Sequence, residues 1–186
     1  ALKKTTQNAA DAVSQANTNF NMARAGVKQT ESEISRCNQS LRLAQTNWDA
    51  AGKSIDASRA AITTFGKEIG LAESRFRLAT AGIKDMDTSM EGLSAKLTLL
   101  REKLDIQEKS ITQYENALRS AREQLQAAQQ ANDPEKIQQA SDAVLDAEAA
   151  LNRAKAAVKA TRAEIEETNR QLSTARSAWT AAGKSL

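Results

Sequence analysis

Two short stretches of the sequence carry residue types that bind phosphate in other proteins. Gly52-Lys53-Ser54 and Gly183-Lys184-Ser185 match the end of a phosphate-binding loop, in which backbone amides, a lysine and a hydroxyl hold the nucleotide phosphates. The complete motif also needs a glycine five residues ahead of this one, directly after a strand. Asn47 and Ala178 stand at that position, within predicted helices. We therefore expect no nucleotide site.

The other candidates for chemistry are also incomplete. The segment Asp85-Met86-Asp87-Thr88-Ser89 begins like a calcium-binding loop, but Met90 stands where that loop needs glycine. The sequence has no histidine and a single cysteine, Cys37, which excludes Ser-His catalysis, His/Cys zinc sites and an internal disulfide. We expect Cys37 to be a small buried residue. The sequence thus predicts no enzyme activity, no cofactor and no metal site.

The dominant feature of the sequence is an apolar residue at every seventh position. This spacing keeps one seam of a helix facing a neighbour and is typical of left-handed coiled coils. It runs without interruption from Val13 to Leu125 and resumes in another phase at Ile137, seven residues before Val144. The expected core residues are Val13, Phe20, Val27, Ile34, Leu41, Trp48, Ile55, Ile62, Ile69, Phe76, Ile83, Met90, Leu97, Leu104, Ile111, Leu118, Leu125, Val144, Leu151, Val158, Ile165, Leu172 and Trp179.

The change of phase coincides with the strongest turn signal in the chain. Asp133 is a favourable N-cap, and Pro134 suits the first position of a helix. A second turn is predicted at Gly66 and Gly70, which follow two β-branched residues. These signals predict an all-α fold, an elongated antiparallel three-helix coiled coil with helices near 8–64, 70–131 and 135–186. The alternative is one very long helix with a shorter antiparallel helix, because the heptad phase continues through Gly66 and Gly70.

Part of the sequence occurs twice, 131 residues apart. Asp11-Ala12-Val13 aligns with Asp142-Ala143-Val144, and the segment from Trp48 to Ser54 aligns with the segment from Trp179 to Ser185. The Gly-Lys-Ser residues coincide although they are not core positions, so shared heptad bias is a poor explanation. We infer duplication of a helical unit, with similar first and third helices that run in the same direction.

Composition and charge restrict the partners. The 26 Lys and Arg residues and 23 Asp and Glu residues give a net charge of +3 and are interspersed, so we expect no nucleic-acid partner. No apolar run reaches the roughly 20 residues of a membrane span, so we expect no direct membrane insertion by this segment. We interpret residues 1–186 as a single domain from a longer protein, since the chain begins with Ala1 and ends on the heptad position Leu186.

The second half of the chain resembles a known family. The resemblance rests on three features: the helix reversal at Asp133-Pro134, the Ala-rich run from Ala140 to Leu151, and the stretch Ala175-Arg176-Ser177-Ala178-Trp179-x-Ala181-Ala182-x-Lys184-x-Leu186. These are similar to the amino-terminal coiled-coil domain of the large translocator proteins of bacterial type III secretion systems. In that family the aromatic motif precedes a Leu-Asp-Pro break, whereas here it lies in the first and last helices.

The resemblance implies a non-enzymatic extracellular coiled-coil rod of a secreted or cell-surface bacterial virulence protein. Such a rod supports assembly and contacts proteins, through self-association or with a secretion or host partner. A second resemblance, to the helical receptor-binding rods of colicins, also implies a long helical rod that contacts another protein. The alternatives are therefore a colicin-like receptor-binding rod and a structural spacer in a phage or cytoskeletal assembly.

Overall fold

The computed structural model describes residues 2–86 and 88–183. Its helices are α1 (Leu2–Thr80), α2 (Met90–Gln130) and α3 (Pro134–Gly183), and the described residues contain no strand. The predicted all-α fold class is confirmed. The composition predicts a single domain, whereas contacts group the residues into two compact units, Ala1–Thr46 and Asn47–Leu186.

The turn between the first two helices lies after Thr80, and not at Gly66 and Gly70. Both glycines lie inside α1. A glycine within a helix costs only about 1 kcal/mol relative to alanine, and the neighbouring apolar positions Ile62 and Ile69 remain half-buried. The predicted helix limits near residues 64 and 70 are therefore wrong. The alternative of one helix to about residue 130 is also wrong, because α1 ends at Thr80.

Local hydrogen bonds and a close backbone approach define the turn before α2. Asp85 adopts a left-handed conformation with φ of 52°, and its carbonyl oxygen accepts hydrogen bonds from the amides of Thr88 and Ser89 at 2.9 and 2.8 Å. The hydroxyl of Ser89 caps α2 by accepting from the amide of Gly92 at 3.1 Å. A Cβ atom on Gly92 would lie 2.7 Å from the carbonyl carbon of Met86. Glycine is required there because the turn packs directly on the helix.

The turn between α2 and α3 lies at the predicted position. Asn132 adopts a left-handed conformation with φ of 50°, as is common directly after a helix. The carboxylate of Asp133 accepts a hydrogen bond from the backbone amide of Lys136 at 3.1 Å. This bond, more than the charge of Lys136, lowers the pKa of Asp133. Pro134 occupies the first position of α3, where its missing amide hydrogen costs nothing.

Within the unit Asn47–Leu186, α2 contacts the second part of α1. Ser120 donates a hydrogen bond to Ser54 at 2.9 Å, and Lys103 contacts Glu73 at 3.2 Å. The residue number on α1 rises as that on α2 falls, so the two segments are antiparallel.

The third helix, α3, also packs antiparallel to α2. Three exposed ion pairs follow the interface: Arg122 with Glu148 at 2.7 Å, Glu115 with Lys155 at 3.3 Å, and Glu108 with Arg162 at 2.6 Å. Such exposed pairs each contribute little to stability, but their order fixes the alignment of the two helices. Within this unit, α2 therefore packs on both α1 and α3.

Apolar burial provides most of the stabilisation of the α2–α3 interface. Leu93, Leu97 and Leu172 form a buried cluster, against which Met90 and Ile165 pack. The following expected core residues of this unit are buried: Ile55, Leu97, Leu118, Leu151, Val158 and Leu172. The following are half-buried: Trp48, Ile62, Ile69, Phe76, Ile83, Met90, Leu104, Ile111, Leu125, Val144 and Ile165.

Candidate interaction surface

The Gly-Lys-Ser motif of α1 takes part in helix packing. Gly52 lies where a Cβ atom would come within 3.2 Å of the side-chain amide of Gln124 on α2. The hydroxyl of Ser54 accepts the hydrogen bond from Ser120. Both contacts place the motif inside a helix–helix interface. Because the motif lies within α1, its backbone amides are bonded along the helix and cannot surround a phosphate. In the second copy, Lys184 and Ser185 lie outside the described residues.

Trp48 extends this contact to a third element. The side-chain amide of Gln124 donates to the carbonyl oxygen of Trp48 at 3.3 Å. The ammonium group of Lys136, at the start of α3, lies 5.7 Å from the centre of the indole ring, within the range of a cation–π interaction. The segment from Trp48 to Ser54 therefore joins α1 to α2 and to the start of α3. Sequence reasoning missed this role, although the repetition of the whole segment at non-core positions was a signal for it.

The calcium-loop-like segment is the metal-binding candidate that the sequence suggests. Among the described residues, no three His, Cys, Asp or Glu side chains are close enough to hold a metal ion. Asp85 belongs to the turn before α2, and Asp87 of the calcium-loop-like segment lies outside the described residues.

The first part of α1 presents a regular apolar stripe to solvent. Every residue from Leu2 to Leu43 is exposed. The five large members of the heptad pattern in this range have exposed fractions of 42% to 65%. We call them the amino-terminal stripe: Val13, Phe20, Val27, Ile34 and Leu41. The heptad pattern predicts them as core, and they are exposed because no described residue covers them.

Cys37 lies on the same face of α1 as the stripe, and it is a free, exposed thiol. The expectation that Cys37 is buried is therefore wrong for this structure. Four heptads separate Val13 from Leu41, so the stripe extends for about 40 Å along the helix. Polar side chains beside it bond along the helix, as between Gln29 and Glu33 at 3.0 Å. An apolar strip with a polar border is the usual appearance of a protein-binding surface.

Trp179 is the other core prediction that the structure contradicts. Its exposed fraction is 71%. Trp179 lies near the end of α3, past the last positions at which α3 packs on the Leu93 and Leu97 cluster. Its equivalent Trp48 has α2 and Lys136 beside it, so the same motif is covered in one copy and exposed in the other.

No protein family, curated protein or solved structure shows significant similarity to this chain. Within residues 2–86 and 88–183, no helix combines the length and the apolar character that crossing a membrane requires.

Proposed function

We propose that this chain is a non-enzymatic coiled-coil module that binds another helix through its amino-terminal stripe. The observation that supports this most strongly is the exposure of five large apolar side chains at seven-residue spacing. The same spacing in α3 packs on α2, so the chain already uses this pattern as a helix-binding surface. Burying such a stripe removes apolar area from water, which favours association.

The resemblance to translocator coiled coils supports a wider proposal. According to this wider proposal, the chain belongs to a secreted or cell-surface bacterial protein, and its coiled coil supports assembly or contact with a host or secretion protein. The direct check is fractionation of the full-length protein from its source cells. Recovery outside the cell or at its surface is expected, and exclusive recovery inside the cell would contradict this wider proposal.

Charge substitutions test the binding function. Phe20→Glu combined with Ile34→Glu places two carboxylates on the stripe, and both positions are exposed, so folding should be unaffected. In the full-length protein, we expect this variant to lose its native assembly, seen as a smaller particle by sedimentation of cell extracts. Leu71→Glu with Leu78→Glu is the matched control, because these leucines are exposed but lie off the stripe. An assembly that withstands the stripe variant would contradict the proposal.

A structural spacer is the second candidate function. It is favoured by the occurrence of the Trp48–Ser54 segment at the junction of three helices, and again at the end of α3. A repeated junction is what an extended array of similar units needs.

A further inference from the structure

The internal repeat is longer than its most obvious segments. When residues 3–55 are aligned with residues 134–186, 23 of the 53 positions are identical. The identities include core and non-core positions along the whole length, from Gln7 and Gln138 to Ser54 and Ser185. The first part of α1 is therefore a copy of α3 in sequence.

The face that α3 buries is kept in this copy. The buried residues of α3 are Ala140, Leu151, Val158, Thr161, Thr168 and Leu172. Their equivalents are, in the same order, Ala9, Phe20, Val27, Thr30, Cys37 and Leu41. Four of the six pairs are identical in residue type. The other two have Phe20 in place of Leu151 and Cys37 in place of Thr168. Every one of the six equivalents is exposed.

We propose that the face formed by these six residues, Ala9 to Leu41, binds the α2 helix of a preceding copy of the same repeat in a tandem array. The proposal rests on the binding function proposed above and names the partner. The reason is the α2–α3 interface. There α2 packs on Leu172 of this set, and three ion pairs align α2 with the rest of α3, so an α2 helix fits the same set in its copy.

The boundary between the two compact units is consistent with a tandem array of this repeat. The second unit begins at Asn47, and one repeat length of 131 residues from there ends at Ser177, just ahead of the second Trp motif. In this arrangement, residues up to 46 are the third helix of one copy, and α1 continues without a break into the first helix of the next copy. Trp179 begins a further copy, which explains why it is exposed here while Trp48 is covered.

A second molecule of this chain is a poorer partner. The face of its α2 that would be needed is already covered by its own α3, through Leu93, Leu97 and Leu172. The charges beside the stripe match this α2 only in part. Arg24 is equivalent to Lys155 and keeps the positive charge that pairs with Glu115, whereas Glu31 is equivalent to Arg162 and would place a second negative charge opposite Glu108. The preceding copy is therefore expected to have α2's apolar face with a different charge near the position of Glu108.

The reactivity of the single cysteine tests the proposal. We would join residues 47–133 directly ahead of Lys3, which continues the repeat in register, and compare this extended chain with the 186-residue chain. The readout is the rate at which Cys37 reacts with a thiol reagent such as Ellman's reagent. We expect the rate to fall by about tenfold or more in the extended chain, because the thiol becomes reachable only through local opening.

Two controls make the result specific. Thr168→Cys with Cys37→Ser moves the thiol to the equivalent position of α3, where the native residue is 2% exposed, and it should react slowly without any extension. Leu97→Asp in the added copy alone should restore rapid reaction of Cys37. This variant keeps the added residues but spoils the apolar face that would cover the thiol.

Two outcomes would overturn the proposal. One is equal reactivity of Cys37 in both chains while the Thr168→Cys variant is protected. The other is protection of Cys37 in the 186-residue chain at high concentration, with a dimer in sedimentation, because a second molecule would then cover the face. Either outcome leaves the Phe20→Glu and Ile34→Glu test independent, so failure of the tandem partner and failure of the binding function can be told apart.

Discussion

Val27 and Val158 occupy the same position of the 131-residue repeat, yet Val27 is 58% exposed and Val158 only 6%. The two residues have the same type and the same heptad position, and both lie in helices. The difference between them is therefore the presence of α2 beside Val158, which makes the pair a direct probe of tertiary packing.

Val158→Ala and Val27→Ala should therefore differ in their effect on stability. Val158→Ala removes buried methyl groups and should lower the free energy of unfolding by about 1–3 kcal/mol. Val27→Ala, at an exposed position, should change it by less than about 0.5 kcal/mol. Urea denaturation followed by circular dichroism measures both. Equal losses would mean that Val27 is covered in solution.

Gly92→Ala should destabilise the protein, because the new Cβ would meet the carbonyl group of Met86. We expect a loss of about 1–3 kcal/mol in the free energy of unfolding, as for other overpacked sites. Gly66→Ala is the control, since a Cβ there meets nothing within 4 Å and helix propensity improves by up to about 1 kcal/mol. A destabilising Gly66→Ala in thermal denaturation would indicate a turn at that position instead of a continuous helix.

Gln107 is the basis of a stabilising substitution. Its side-chain oxygen is buried and has no hydrogen-bond partner among the described residues. Gln107→Leu keeps a similar volume and removes this desolvated acceptor, so the free energy of unfolding should rise by about 1–3 kcal/mol. Gln126→Leu, at an exposed position of the same helix, should have an effect below about 0.5 kcal/mol. A loss of stability in Gln107→Leu would show that the amide has a partner in solution.

Asp133 should make stability depend on pH in the acid range. Its pKa is lowered by the hydrogen bond from the amide of Lys136, so the ionised form stabilises the folded state. This stabilisation is fully present above the unfolded-state pKa of about 3.9 and is lost as the pH falls through the lower folded-state pKa. Asp133→Asn is the matched control, because asparagine caps a helix at any pH.

Unfolding of both proteins across the acid range separates this effect from that of other carboxylates. The wild-type protein should lose stability relative to Asp133→Asn as the pH falls from about 4, the unfolded-state pKa, through the lower folded-state pKa of Asp133. A difference between the two proteins that is independent of pH would contradict the role of the ionised carboxylate.

The sequence predicted helices and the second turn from local signals alone. The heptad spacing indicated helices, and Asp133 with Pro134 indicated where α3 begins. The first turn was misplaced because the spacing does not change there: Phe76, Ile83 and Met90 keep the seven-residue interval although the turn lies between Phe76 and Met90. Gly66 and Gly70 were weak evidence for a turn, since a helix tolerates glycine when its apolar face is packed.

The candidate surface could not be predicted, because a heptad pattern identifies a face but not what covers it. Phe20 and Leu151 have equivalent positions, and the sequence alone gives both the same role. Only the arrangement of the helices distinguishes the buried Leu151 from the exposed Phe20. The equivalent positions of Cys37 and Thr168 illustrate the same limit, since a small residue is suitable for either environment.

Hydrogen exchange of the 186-residue chain, followed by mass spectrometry, tests most directly whether the amino-terminal stripe lacks a partner. A helix without tertiary contacts opens easily in water, whereas α3 is held by α2. We predict that peptides from residues 142–172 are protected at least about 100-fold more than peptides from residues 11–41. Equal protection of the two segments would contradict the account, because it would mean that the stripe is already covered.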